Sequence, residues 1–298
     1  ALAGAALPAG SEAAFAAFCA DLVRAVNVEQ GRKVRWFELF HGRESLFSGR
    51  GGDFARLVRA AAVAMKAVDP TIAVGAAGFA HPYQDIIDEV ITGAGDALDF
   101  LSFHAYATGD PALPLDQVFD RAADVAERVR VLATRASAFA TRNLGVMLSQ
   151  WGLDWNQDPR VADARGATFD ALTLIALADA PLIAATAWNE SDGWYGKLGA
   201  DHAMRPAAHV FASWNEWVRG TRVDVDSSRA TVVVPYAVTD GPRRVLVLVN
   251  RGDVALSAST GLVAPAAVQV TGAGRGMRPP SAGVVDLPPL SVTFVVEG

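Results

Sequence analysis

Cysteine is almost missing from this chain: Cys19 is the only one in 298 residues. An internal disulfide and any cysteine-based zinc site within the chain are therefore excluded. Lysine is nearly as scarce, with Lys33, Lys66 and Lys197 alone, so the cationic charge is almost entirely arginine. The 26 basic and 32 acidic side chains leave a net charge of -6, with no basic footprint for nucleic acid or an anionic membrane. No run approaches the ~18–20 uninterrupted apolar residues of a membrane span. A soluble chain is expected, with a secreted or periplasmic compartment left open. Ala1–Gly10 is apolar but has no basic leader segment and no initiator Met. It reads as the interior of a longer frame or a processed start rather than a signal peptide. No glycine-rich phosphate loop follows a strand; Gly49-Arg50-Gly51-Gly52 precedes a helix without the required spacing or lysine. His81, His202 and His209 share no spacing, so neither a metal nor a cofactor is expected.

What is present is a 51% hydrophobic, 19% charged chain, which excludes a disordered or fibrous protein. From Ser11 to Arg219 helical and strand periods alternate. Ser11 can cap a helix to about Val26 with Phe15, Phe18, Leu22 and Val26 on one stripe. Val34–Phe40 reads as a strand and Phe54–Val68 as a helix stopped before Pro70. Then come the strand Ile72–Gly75, a helix around Tyr83–Thr92, and the strand Phe100–Phe103. A long helix within Leu115–Ala140 precedes the strand Gly145–Leu148. A helix in Ala162–Ala178, the strand Leu182–Ala187 and a helix over Pro206–Val218 close the series. These five strand-helix units predict a parallel α/β architecture.

Beyond Gly220 the period becomes two. Arg222–Val225, Ala230–Tyr236, Arg244–Val249, Ala266–Val270 and Ser291–Val296 are mostly valine-rich runs, separated by turns such as Asp240-Gly241-Pro242. All seven tryptophans precede this switch. The tail, residues 220–298, is expected to be a small antiparallel β-sandwich with little chemistry of its own.

In a parallel α/β barrel the functional groups lie at the C-terminal ends of the strands. The ends here read Phe40-His41-Gly42-Arg43-Glu44, Ser102-Phe103-His104-Ala105-Tyr106, Ser149-Gln150-Trp151-Gly152 and Trp188-Asn189-Glu190-Ser191-Asp192. Histidine, amide, carboxylate and tryptophan recur there. That combination suits polyhydroxylated ligands, whose hydroxyls meet planar polar groups and whose C–H faces meet aromatic rings.

Trp36-Phe37-Glu38-Leu39-Phe40-His41-Gly42 resembles the fourth strand of clan A glycoside hydrolases, most closely family 39, the β-xylosidase and α-L-iduronidase relatives. Leu46-Phe47-Ser48-Gly49, Lys66-Ala67-Val68-Asp69-Pro70 and Val74-Gly75 continue the resemblance. Asp99-Phe100-Leu101-Ser102-Phe103-His104-Ala105-Tyr106 is similar to the sixth strand of that family, and Leu148-Ser149-Gln150-Trp151-Gly152 to its seventh. Met204-Arg205-Pro206-Ala207-Ala208 resembles the approach to its last helix. The resemblance covers nearly the whole chain. It implies a (β/α)8 TIM barrel followed by the β-sandwich, and an oligo- or polysaccharide ligand contacted by His41, His104, Tyr106, Gln150, Trp151, Trp188 and Asn189.

Retaining glycosidases need two carboxyl groups about 5–5.5 Å apart. On the family pattern these are glutamates ending the fourth and seventh strands. Here Phe40 stands at the pattern's tryptophan, His41 at its asparagine, Gly42 at the acid/base and Gln150 at the nucleophile. Glycine carries no proton donor, and a neutral amide is a very poor nucleophile. Three readings stay open. The domain is a degenerate hydrolase that binds saccharide without cleaving it; or other carboxylates act, such as Glu44 with Glu190 or Asp192, in the wider inverting geometry; or Gln150 is an engineered replacement. Glu38 shares the strand parity of Phe40 and Gly42 and is expected to point inward, paired with an arginine. Asp154 and Trp155 either line the rim or shape a loop. Trp214 and Trp217 are expected to pack between barrel and sandwich, and Cys19 to be inert core.

A (β/α)8 barrel takes about 250 residues, whereas residues 1–219 hold five units. Either the first three units are absent from this sequence, or another chain or copy supplies them to complete the barrel and cover its open edges, or the sheet is an unusual truncated one.

Overall fold

The computed structural model describes residues 6–80, 84–139, 141–263, 265–277 and 283–298. His81, Tyr83 and Ala140, named in the sequence analysis, lie outside the described residues. The first helix, α1 (Glu12–Val23), lacks the expected serine side-chain cap, and a π-helical turn over Arg24–Glu29 continues it. Its inner face differs from the expected stripe. Cys19, Ala20 and Val23 are buried, whereas Phe18 is 65% exposed and Leu22 is exposed. The small residues win because α1 packs on α2 (Gly51–Val68), itself rich in buried alanine, and close helix approach favours small side chains. Burial pushes the Cys19 thiol up to about 11, which leaves it protonated and unreactive at neutral pH.

Five strands follow the expected order: β1 (Trp36–Leu39), β2 (Ala73–Phe79), β3 (Phe100–Thr108), β4 (Gly145–Asp154) and β5 (Ala184–Ala187). They form one sheet in sequential order, parallel from β1 to β2 and from β2 to β3. The helices α2, α3 (Gln84–Ala94), α4 (Leu115–Phe139) and α5 (Ala164–Leu177) connect them, as parallel pairing requires a crossover. Three strands outrun their expected ends, β2 by four residues, β3 by five and β4 by six. His104, Tyr106, Gln150 and Trp151 therefore sit within strands, where the pleat alternates their direction. At the opposite end of β3, Asp99 binds Lys66 at 2.6 Å, Arg142 at 2.8 Å and the Val74 N–H. That end holds the sheet together rather than presenting chemistry.

The chain divides into two compact units. The first comprises Ala1–Ala105, Glu127–Trp151 and Ala180–Thr186; the second comprises Tyr106–Ala126, Gly152–Asp179 and Ala187–Gly298. The first holds most of the parallel sheet, with Phe54, Val58, Val74, Leu101 and Leu148 buried. The second holds α5, α6 (Pro206–Trp217) and an antiparallel sheet. That sheet contains β6 (Thr221–Val223), β7 (Val233–Asp240), β8 (Arg243–Asn250), β10 (Ala266–Thr271), β11 (Gly274–Met277) and β13 (Ser291–Glu297), in the order β11-β10-β13-β8-β7-β6. A two-stranded ribbon pairs β9 (Leu256–Ser259) with β12 (Val284–Leu287). Val233, Leu248 and Val295 of the large sheet share one core with Val285 and Leu287 of the ribbon. The sequence analysis did not anticipate β9, β11 and β12. Each spans only four residues, and β9 (Leu-Ser-Ala-Ser) and β11 (Gly-Arg-Gly-Met) are built largely of small residues without β propensity, while the Val284-Val285 pair of β12 is too short a run to mark a strand. Trp214 stacks on Tyr236 at 5.4 Å and Trp217 meets Phe294 at a tilt with ring centres 5.6 Å apart, which seats α6 on the tail sheet.

Candidate functional site

In the first unit the candidate site begins where β1 stops. Phe40 takes φ 64°, a left-handed conformation costly for a bulky side chain. Its ring gains contacts with Phe15 (4.9 Å), Phe54 (4.8 Å) and Phe47 (5.8 Å). Phe40 is thus drawn into a helix-side aromatic cluster. The turn that follows brings His41 back to Glu38. His41 Nδ1 lies 2.9 Å from Glu38 Oε2, and His41 Nε2 lies 2.8 Å from Gln150 Oε1. The partner of Glu38 is therefore this histidine and not the expected arginine, because the left-handed turn folds His41 over the strand end.

Two protonation states satisfy this chain of contacts. As an imidazolium, His41 donates to both the Glu38 carboxylate and the Gln150 carbonyl oxygen. As a neutral ring it donates from Nδ1 and accepts from the Gln150 amide turned over. The His104 ring lies 4.4 Å from that of His41. His104 is 9% exposed, and burial, with His41 adding to it, pushes its pKa down to about 4 against the pull of Glu38. It is neutral at pH 7. Both His104 Nε2 and Glu38 Oε1 are buried without a hydrogen-bond partner among the described residues. They converge on Gly78: a Cβ there would lie 3.1 Å from His104 Nε2 and 3.3 Å from Glu38 Oε1.

Gly42 has φ 62°, and its N–H donates to Gly78 O at 2.8 Å. A Cβ on it would come within 3.3 Å of Ala80 and 3.5 Å of His104, so a glutamate at this position would be strained as well as crowded. Glu44 begins a 3₁₀ turn (Glu44–Phe47) and is fully buried. The bulge that would have carried it into the open does not form. Trp151 is buried too, because it points to the opposite side of the pleat from Gln150.

In the second unit the remaining candidates lie at the ends of β3, β4 and β5. The Tyr106 ring edges Gly152, where a Cβ would meet its Cε1 at 3.2 Å. Trp188 is exposed. Asn189 donates to Asp192 Oδ2 at 2.8 Å, while its own Oδ1 is buried and without a partner among the described residues. The Glu190 side chain is exposed. Asp192 is a loop staple, since its Oδ1 accepts from the backbone N–H groups of Trp194, Tyr195 and Gly196. Burial works to raise this carboxyl, and those hydrogen bonds outweigh it and hold it below the usual range. With its lone pairs so engaged, Asp192 is unsuited to proton transfer, contrary to its place among the alternative carboxylates.

The loop after β4 is fixed in the same manner. Asp154 Oδ2 accepts from the N–H groups of Asn156 and Asp158, and burial raises this carboxyl. Asp158 pairs with Arg160, whose Nη1 also donates to Leu113 O at 2.6 Å. Lys197 reaches the fully buried Asp170 at 2.5 Å. Trp155 and Trp194, on the loops after β4 and β5, stay 62% and 55% exposed. For Trp155 the sequence leaves rim and loop roles equally open, and for Trp194 it indicates none. The three-residue spacing of Glu38 and His41 was the available signal for their pairing. Among the described residues no group of three or more His, Cys, Asp or Glu side chains is placed to hold a metal ion. None of the described helices is long and apolar enough to cross a membrane.

No family model matches the chain, and no curated protein matches it in sequence. Solved structures do match it in fold. A family 30 endoxylanase from Clostridium papyrosolvens superposes with a TM-score of 0.65 at 15% identity, covering 98% of this chain and 72% of that one. A family 39 β-xylosidase from Caulobacter crescentus gives 0.68 at 17% identity, covering 94% and 71%. A family 44 endoglucanase from Clostridium acetobutylium gives 0.71 at 12% identity, covering 93% and 70%. At such identities the likeness establishes the fold alone. The chain is a mixed α/β protein whose five-stranded sheet is similar to part of a glycoside-hydrolase TIM barrel.

Proposed function

We propose that this chain binds a saccharide on a glycoside-hydrolase scaffold and does not carry out retaining hydrolysis. The observation that carries this reading is the state of Gln150: an uncharged amide held by His41, at the position resembling the family nucleophile. Gly42, at the position resembling the acid/base, supplies no side chain. A double displacement needs two carboxyl groups across the bond to be cleaved, and neither position provides one. The competing pair of Glu44 and Glu190 is weakened by the complete burial of Glu44. His104, Tyr106, Trp188 and Asn189 are the saccharide contacts in this reading, and His104 Nε2 and Asn189 Oδ1, buried without a hydrogen-bond partner among the described residues, support it as groups awaiting ligand hydroxyls.

The finer assignments belong to the same proposal. Family 39 supplies the nearest motif pattern. Residues 1–219 are a barrel portion and 220–298 a β-sandwich. Further βα units, from another chain or segment, cover the open edge of the sheet at β1, where Trp36 is exposed.

Incubation with aryl β-glycosides and β-linked oligosaccharides, paired with calorimetric titration, tests the reading. Binding without turnover is expected. Gln150→Glu alone is expected to leave turnover absent, because Gly42 still provides no acid. Turnover in the wild type that disappears in Glu190→Gln would overturn the proposal in favour of a rearranged carboxylate pair.

A further inference from the structure

We infer that Trp155, on the loop after β4, is a stacking platform for one sugar ring of a bound saccharide. This deepens the proposed function and rests on it. The indole seats one side against the Gly109 backbone: a Cβ at Gly109 would lie 2.1 Å from its Cε2 and 2.6 Å from its Nε1. Despite that seat, 62% of the residue remains in solvent. Trp151, within β4, by contrast buries its ring in the interior.

The platform is held rigid from below. The Trp155 N–H donates to Thr108 O at 3.2 Å, and its carbonyl accepts from Tyr195 Oη–H at 3.0 Å. Tyr195 Oη in turn accepts the Gln157 N–H at 3.1 Å, and Asn156 Nδ2 donates to Gly109 O at 3.1 Å. An exposed ring fixed in this way loses little entropy when a flat ligand settles on it.

The chemistry of the surroundings selects a sugar over a protein. The ring is exposed, and so are the two amide residues that follow it in the chain, Asn156 and Gln157. A stable protein interface needs about 800 Å² per partner with an apolar core. One indole followed by two amides instead matches a ring with C–H bonds on its face and hydroxyls around its rim.

Titration of xylohexaose and cellohexaose by calorimetry, with wild type, Trp155→Phe and Trp155→Ala, tests the assignment. Trp155→Ala is expected to weaken binding about tenfold and Trp155→Phe to retain most of it, with unchanged thermal unfolding midpoints. Equal affinity of Trp155→Ala and wild type would overturn the platform while leaving the saccharide reading intact. Failure of the wild type to bind either sugar would remove both. Should Trp155→Ala lose its fold, the indole N–H resonance of Trp155 in the wild type, assigned through Trp155→Phe, serves instead. A shift on adding sugar supports the platform, and an unmoved resonance overturns it.

Discussion

In the first unit His41 hydrogen-bonds to both Glu38 and Gln150, while Glu38 Oε1 and His104 Nε2 stay buried without a partner among the described residues. In the second unit Asp158, Asp170 and Asp192 are bound to arginine, lysine and backbone N–H groups, and the loops they hold present Trp155 and Trp194 to solvent. One region keeps polar capacity in reserve and the other uses it to fix loops that carry exposed indoles. The comparison also explains why carboxylates alone are poor markers here. Asp192 and Asp154 sit beside the candidate positions in sequence, yet both carry loop geometry.

Breaking the second unit has the largest expected effect. Lys197→Ala strands Asp170 in the interior, and urea unfolding should show a loss of about 3–5 kcal/mol, the usual result of removing one partner of a buried pair. The first unit responds instead to pH. Because the folded state holds His104 near 4 against an ordinary 6.5, the unfolded chain takes up its proton first as pH falls. The His104 contribution to stability is therefore fully present above about pH 6.5 and lost progressively towards pH 4. Unfolding curves across that window should flatten in His104→Gln, and an unchanged slope would remove His104 as the cause.

A smaller change isolates ligand binding from stability. Glu38→Gln removes the carboxylate that holds His41 and should weaken hexasaccharide binding roughly tenfold, as expected for a hydrogen bond to a charged group. Its unfolding free energy should move far less than that of Lys197→Ala. Smallest of all, Glu190→Gln should alter neither affinity nor stability beyond about 0.5 kcal/mol, since Glu190 is solvent-exposed. A large effect at Glu190 would place it among the working groups and blur the contrast between the units.

Much of the fold was legible because period and punctuation agree. Valine-rich runs separated by Gly and Pro marked the tail, and five strand-helix alternations marked the parallel sheet. The misses have specific physical causes. The inner stripe of α1 is chosen by close packing of alanines against α2, which hydrophobicity alone does not reveal; Phe18 was expected inside and is exposed. Strand lengths were underestimated where His104 and Gln150 interrupt apolar runs, because polar residues continue a strand when its neighbours supply the ladder. The pairing of His41 with Glu38 depends on a left-handed Phe40, which no local propensity favours and which the surrounding aromatic cluster imposes. The exposure of Trp155 depends on Gly109, about fifty residues away in the chain, and so lay beyond any local pattern.

The central claim, binding without retaining cleavage, is tested most directly by titrating the protein with a panel of β-linked hexasaccharides and sizing the recovered sugar. A saturable heat with an intact hexasaccharide is the predicted result. A shortened product, or no heat with any member of the panel, would contradict it.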